Sequence, residues 1–291
     1  MQYVLASQYE SLHPYIHDNG ESAQGMIDIH THILPGIDDG ARNEEQMLAL
    51  ARAAQLEGIT DIVATPHHAN GAYWNAAADV RELTRRTGEL LQQHGIPIAL
   101  HPGQEIRVHA ELLDNWEKRE LLTLADTPYM LLEMPTAEIP SGMAELVYEL
   151  TLQGVRPVIA HPERNEQAMR EPALLEELIS LGAWGQVTTH SLLGLYGRSI
   201  EKASWSMMRS GLVHLVSSDA HHAERRGFRL AAAYAAIAER LGEDYKAYFM
   251  QNAVSLLAGD DLLGAEQRPA AAASGGRPQG LLRSLFGRRG R

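Results

Sequence analysis

The sequence predicts an α/β fold: a parallel barrel with its active site at the C-terminal ends of the strands. Three observations carry that expectation. Seven short apolar runs are bounded by Gly, Pro or a polar residue, as strands buried on both faces are. Amphipathic stretches of helical period separate them, which favours a parallel barrel over a sandwich. Each run also ends near a residue that can bind a metal or carry a proton, and barrel enzymes place such residues on that face.

In chain order the predicted strands are 26–30, 61–66, 97–102, 129–134, 157–161, 184–189 and 213–219. Between them, "NEEQMLALARAAQLEG" has Asn43 placed as an N-cap and Gly58 as a C-terminal stop. "PALLEELISLG" repeats the pattern later in the chain. The predicted domain spans residues 26–264. Residues 1–25 stand before it, either as an extension or as an over-called start ahead of Met26. Residues 265–291 contain "RPAAAASGGRPQG", a linker composition, and end in a basic "LLRSLFGRRGR".

Composition narrows the chemistry. The 291 residues include no cysteine, so disulfides and thiolate metal sites are excluded. A metal here would be held by imidazole, carboxylate and water, which suits zinc, manganese or iron. A formal charge of −12 argues against general nucleic-acid binding. Six arginines and no acid follow Glu266, so the acidic excess lies in the rest of the chain. No apolar run approaches the ~20 residues of a membrane span, and the start lacks the pattern of a signal peptide. The expected location is therefore cytoplasmic.

The first strand ends in His30 and His32, with Asp38 and Asp39 close behind. Residues two apart on a strand share a side, so both rings can face one ion. Asp219 and His221 repeat the spacing on the last strand, which would close beside the first. The intervening strand ends offer His67 and His68, Glu105, Glu133, His161 with Arg164, and His190. A single His at a strand end is ordinarily a hydrogen-bonded loop residue, and His13, His17, His94 and His109 are read that way. The full set, in register with seven strands, points to metal binding.

These segments resemble a known family. "MIDIHTHILPGIDDGARN", "ATPHH", "GQEI", "LLEMP", "PVIAHPERN" and "SSDAHH" are similar to motifs of the PHP superfamily. More closely, they resemble the capsule-associated bacterial tyrosine phosphatases of the CpsB/CapC/YwqE type. The resemblance runs from about Met26 to Asp260 and implies a distorted (β/α)7 PHP-type barrel. It further implies three divalent metal ions, with manganese expected and zinc or iron able to use the same ligands. His30, His32, Glu105 and Asp219 would hold the first ion. Glu105 (bridging), Glu133 and His161 would hold the second, and Asp39, His67 and His221 the third. Arg164 matches a phosphate-gripping arginine. Arg226 matches a second one, although its context "HHAERRGF" departs from the family's and leaves Arg225 as an alternative. His68 or His190 could orient water or ligands.

The activity implied is hydrolysis of phosphotyrosine, on the tail of a bacterial tyrosine kinase that controls capsule or exopolysaccharide synthesis. The alternative is a small-molecule phosphatase of the same superfamily, like histidinol phosphatase. The amidohydrolase class shares the H-x-H strand, but it often bridges its metals with a modified lysine. Here Lys118, Lys202 and Lys246 all lie away from strand ends. The basic tail has two readings: a disordered solubilising end, or a weak anchor on the inner face of an anionic membrane through Leu281, Leu282, Leu285 and Phe286. Oligomeric state is not legible.

Overall fold

A computed structural model describes residues 25–269. The expectations for residues 1–24 and 270–291, including the membrane-anchor reading of the tail, lie outside the described residues. Among the described residues, no helix is long and apolar enough to cross a membrane.

Strands and helices alternate, and every ladder between strands is parallel. One sheet joins β1 (Met26–Thr31), β2 (Ile59–Ala64) and β4 (Ala99–Pro102) in the order β1-β2-β4. The other joins β3 (His67–His68), β5 (Glu105–Arg107), β6 (Tyr129–Glu133), β7 (Arg156–Ala160), β8 (Trp184–Thr188) and β9 (Leu215–Ser217) in that order.

The second and third predicted strands, 61–66 and 97–102, correspond to β2 and β4, and each is followed by a further short strand, β3 and β5, in the other sheet. Pro66 has no N–H to donate, and the ladder stops there before resuming at His67. At Gly103 the chain runs so close to β2 that a Cβ would lie 2.9 Å from Val63, and β5 starts only at Glu105. The last and first strands are linked by a parallel bridge, Thr31 to Ala220, flanked by Asp219 N–H to His30 O (2.9 Å) and His32 N–H to Ala220 O (2.8 Å).

Both faces of the strands are buried. Ile27, Ile29, Val63, Leu131, Val158, Ala160 and Leu215 pack with Ala253 and Leu256 of the closing helix α10 (Glu243–Ala258). The alternate residues Met130, Leu132 and Ile159 pack with Val147 and Leu150 of α4 (Met143–Leu152) and Leu178 of α6 (Pro172–Ser180). The first helix, α1 (Glu44–Glu57), behaves as its sequence predicts. Asn43 accepts from Gln46 N–H, and Gly58 closes the helix in the left-handed region at φ 82°.

A buried histidine lies away from the strand-end cluster. His214 is 1% exposed, its Nδ1 accepts from Gly185 N–H at 3.2 Å, and Trp184 meets it edge-on. Burial, helped by the Arg268 charge, pushes its pKa down to about 4. The unfolded chain protonates this ring near pH 6.5. Stability from this group is thus complete above about 6.5 and lost as pH falls through about 4. We expect the unfolding free energy from urea titrations to drop over that window, by up to about 1.4 kcal/mol per pH unit. His214→Gln, which keeps an acceptor, should flatten that slope relative to the wild type; an identical slope in both would contradict the assignment.

Candidate metal centre

The strand ends gather the predicted residues into one buried cluster. His30, His32, Glu105 and Asp219 are each no more than 1% exposed. His30 Nε2 lies 3.5 Å from Glu105 Oε2 and 3.5 Å from Asp219 Oδ1. His32 Nε2 lies 3.4 and 3.2 Å from the same two atoms. All four are buried and have no hydrogen-bond partner. Burying carboxylate oxygens without partners is costly. Ligands ~2.1 Å from a shared ion stand roughly 3.0–3.4 Å apart, so these four atoms fit the shell of a divalent cation.

The ring tautomers are fixed from behind. Gln186 donates its amide N–H to Val187 O at 2.9 Å, which leaves Oε1 to accept from His30 Nδ1 at 3.1 Å. Asp38 Oδ2 accepts from His32 Nδ1 at 2.7 Å. Both histidines therefore turn Nε2 towards the cluster. Burial opposes a second proton on His32, but Asp38, Asp219 and Glu105 hold its pKa well above the ordinary histidine value, so an ion would bind in that proton's place.

The remaining predicted ligands flank this core. His67 Nδ1 is 2.8 Å from Glu105 Oε2, and His161 Nε2 is 2.8 Å from Glu105 Oε1. Asp39 lies 3.4 Å from His67 Nε2 and 3.3 Å from His221 Nε2. His67, Glu105 and Glu133 form one group that could hold an ion; His32, Asp39, His67 and His221 form another. Glu133 is also clasped by Arg107, Nε to Oε2 and Nη2 to Oε1, both at 3.0 Å.

Two site residues occupy the left-handed region without being glycine: His161 at φ 33° and Asp219 at φ 56°. Each such residue costs roughly 1–3 kcal/mol, and such conformations concentrate at functional positions.

The protonation pattern shows a site that draws positive charge. Burial disfavours a charged His67, yet the Glu105 carboxylate beside it lifts its pKa to about 10. Burial pushes Asp219 up, but Arg164 and then His30 hold it well below the usual carboxylate range. His221 moves the other way, to about 4, through burial and the neighbouring His32.

On the other side of Asp219 stand the arginines. Arg164 Nη2 donates to Asp219 Oδ2 at 2.6 Å and to Thr188 Oγ1 at 3.0 Å, while Thr188 Oγ1 donates to the fully buried Glu163. Arg226 donates to the same Asp219 oxygen and lies 3.1 Å from His221 Nε2, whereas Arg225 is exposed. The Nε atoms of Arg164 and Arg226 are both buried and lack an acceptor. His68 and His190 stay outside the metal-binding groups. His68 Nδ1 donates to Asn75 O at 2.7 Å. His190 lies against Tyr196, its pKa depressed to about 4 by burial and by Arg229, Arg226 and Arg164.

This geometry can be set beside known proteins. A family model described as "Capsular polysaccharide synthesis, CpsB/CapC" matches residues 26–258. The chain belongs to the CpsB/CapC family. It is similar to tyrosine-protein phosphatase YwqE of Bacillus subtilis, 42% identical over 80% of this chain and 91% of that one. Similarity to the putative tyrosine-protein phosphatase CapC of Staphylococcus aureus is 40%, over 70% and 80%. A crystal structure from work on B. subtilis YwqE and Streptococcus pneumoniae CpsB, described as metal-dependent tyrosine phosphatases, superposes with a TM-score of 0.81. It covers 85% of this chain and all of that one, at 40% identity.

Sequence reasoning assigned no role to Asp38, Gln186, Arg107, Thr188 or Glu163. Only Asp38 carried a signal, through its place beside Asp39. The others act through side-chain directions that become visible once the strands are in register. Removing the carboxylate behind His32, with Asp38→Ala, should weaken divalent-metal binding about 10- to 100-fold in titration calorimetry. Arg107→Leu should weaken the ion served by Glu133 by a comparable factor. Unchanged isotherms would show that these residues do not orient the ligands.

Proposed function

We propose that this chain is a metal-dependent phosphatase that hydrolyses phosphotyrosine in proteins. The observation that carries the reading is the pairing of two incomplete half-sites. Imidazole and carboxylate atoms without hydrogen-bond partners converge on one side of Asp219, and two guanidinium Nε donors lack acceptors on the other. The first half suits divalent cations; the second suits a phosphoryl group. Relatives named tyrosine-protein phosphatases support the choice of substrate.

In the finer reading there are three ions, manganese by expectation. His30, His32, Glu105 and Asp219 hold one. Glu105, Glu133 and His161 hold the second, and Asp39, His67 and His221 the third. Bound divalent ions supply Lewis acidity to phosphoryl oxygens and bring the pKa of water towards neutrality.

The chain's own residues do the rest. Arg164 and Arg226 present N–H donors to the phosphoryl oxygens, where a planar guanidinium binds charge in two-point fashion. Thr188, itself fixed by Glu163, holds Arg164 in place, and Asp38 and Gln186 hold the two histidines. The leaving tyrosinate has a conjugate acid of pKa about 10, so a strong general acid is less needed than for serine phosphate.

The same reading treats the two sheets as one distorted seven-stranded barrel, supported by the Thr31–Ala220 bridge. It assigns residues 26–264 to the catalytic domain and places the protein in the cytoplasm. The substrate is the tyrosine-bearing tail of a bacterial kinase that governs capsule or exopolysaccharide synthesis.

Turnover of a phosphotyrosine peptide and of histidinol phosphate, compared in manganese, tests the substrate class. We expect the peptide to be preferred; preference for histidinol phosphate would favour the small-molecule reading. Arg164→Ala should lower kcat about 10²–10³-fold while metal is retained. His161→Ala should lose metal and rate together. An Arg164→Ala protein with normal turnover would remove that residue from the reaction.

A further inference from the structure

The strand-end cluster is lined by charged groups, and an exposed tyrosine, Tyr196, stands beside Arg164 at its arginine side. After β8 the chain forms α7 (Thr189–Leu192) and then a tight loop, Leu193–Gly197, before α8 (Arg198–Ser210). Gly194 and Gly197 are both left-handed, at φ 73° and 95°. A Cβ at Gly194 would also lie 2.9 Å from the Glu201 carboxylate.

The loop is tied by its own backbone. Gly194 N–H donates to Ser191 O at 3.1 Å, Leu195 N–H to His190 O at 2.9 Å, and Gly197 N–H to Gly194 O at 3.1 Å. It is thus built to hold Leu195 and Tyr196 in fixed positions, and both are large residues facing solvent, 53% and 37% exposed. The Tyr196 ring lies 4.9 Å from the Arg164 guanidinium carbon and 5.7 Å from the His190 ring.

We propose that Leu195 and Tyr196 form a specificity element for the aromatic ring of the substrate, an inference that rests on the phosphotyrosine reading above. A phosphate held by Arg164 lies within reach of the Tyr196 ring, 4.9 Å from that guanidinium carbon, and in phosphotyrosine the substrate's own ring follows the ester oxygen directly. That ring then leaves water against the exposed Leu195–Tyr196 surface. A serine phosphate has no ring to bury there, so the loop favours aryl over alkyl esters. Aromatic contacts of this kind contribute roughly two- to tenfold in affinity.

Titration calorimetry on the full, manganese-loaded chain separates this role from simple support of Arg164. The probes are a peptide carrying non-hydrolysable phosphonomethylphenylalanine, and inorganic phosphate. Tyr196→Ala should weaken the peptide about five- to tenfold and shift inorganic phosphate less than twofold, while Tyr196→Phe restores peptide binding. Equal weakening of both probes would make Tyr196 only a positioning residue for Arg164 and overturn the proposal, as would unchanged peptide affinity. Turnover of a phosphotyrosine peptide by the wild type is measured alongside. Ring-selective binding without turnover would sink the enzymatic reading while supporting this one.

Discussion

The structure turns on two buried carboxylates, Glu105 and Asp219, each 1% exposed and each with an oxygen that no protein donor satisfies. Uncompensated charge of this kind is among the most destabilising features a protein interior can hold. His67 Nδ1 lies 2.8 Å from the Glu105 oxygen, and the Nε2 atoms of His30 and His32 lie 3.2–3.5 Å from the two oxygens. Gln186 and Asp38 accept from the opposite ring nitrogens, so each Nε2 can offer its lone pair to a metal ion. The two buried carboxylate oxygens need positive charge beside them, from protonated His32 and His67 or from a metal ion in their place. The fold therefore stores a local deficit of positive charge, and a divalent ion relieves it.

That deficit explains neighbouring features that are otherwise unrelated. His67 holds its proton to about pH 10, and Arg164 and Arg226 both turn onto Asp219. His161 and Asp219 keep left-handed backbones, conformations that persist where the surroundings over-determine them. The layer behind the ligands extends the same logic, with Arg107 clasping Glu133 and the Glu163–Thr188 pair fixing Arg164. Chemistry at the cluster depends on that second layer, since a ligand a fraction of an ångström out of place binds its ion more weakly.

Much of this was legible in the sequence, for a specific reason. Parallel strands with both faces buried read as short apolar runs, and their C-terminal ends mark where polar residues collect. The nine expected ligands all enter the clustered groups of the structure, because each stands at the C-terminal end of a strand, in the loop just after it, or at the start of the strand that follows. The breaks at Pro66 and Gly103 were less legible, since a run of apolar letters does not reveal where a ladder is interrupted. Side-chain direction was the other gap. Nothing in the spelling of "QVTTHS" says that Gln186 faces His30, or that Thr188 links Arg164 to Glu163. The Arg225/Arg226 ambiguity was of the same kind, and the geometry turns Arg226 towards Asp219.

The most direct test of the central claim is an anomalous diffraction map from crystals of the chain grown with manganese. The charge-deficit account predicts peaks inside the strand-end cluster, one of them bounded by His30 Nε2, His32 Nε2, Glu105 Oε2 and Asp219 Oδ1. A map with no anomalous density there, from protein that hydrolyses phosphotyrosine at full rate, would contradict it.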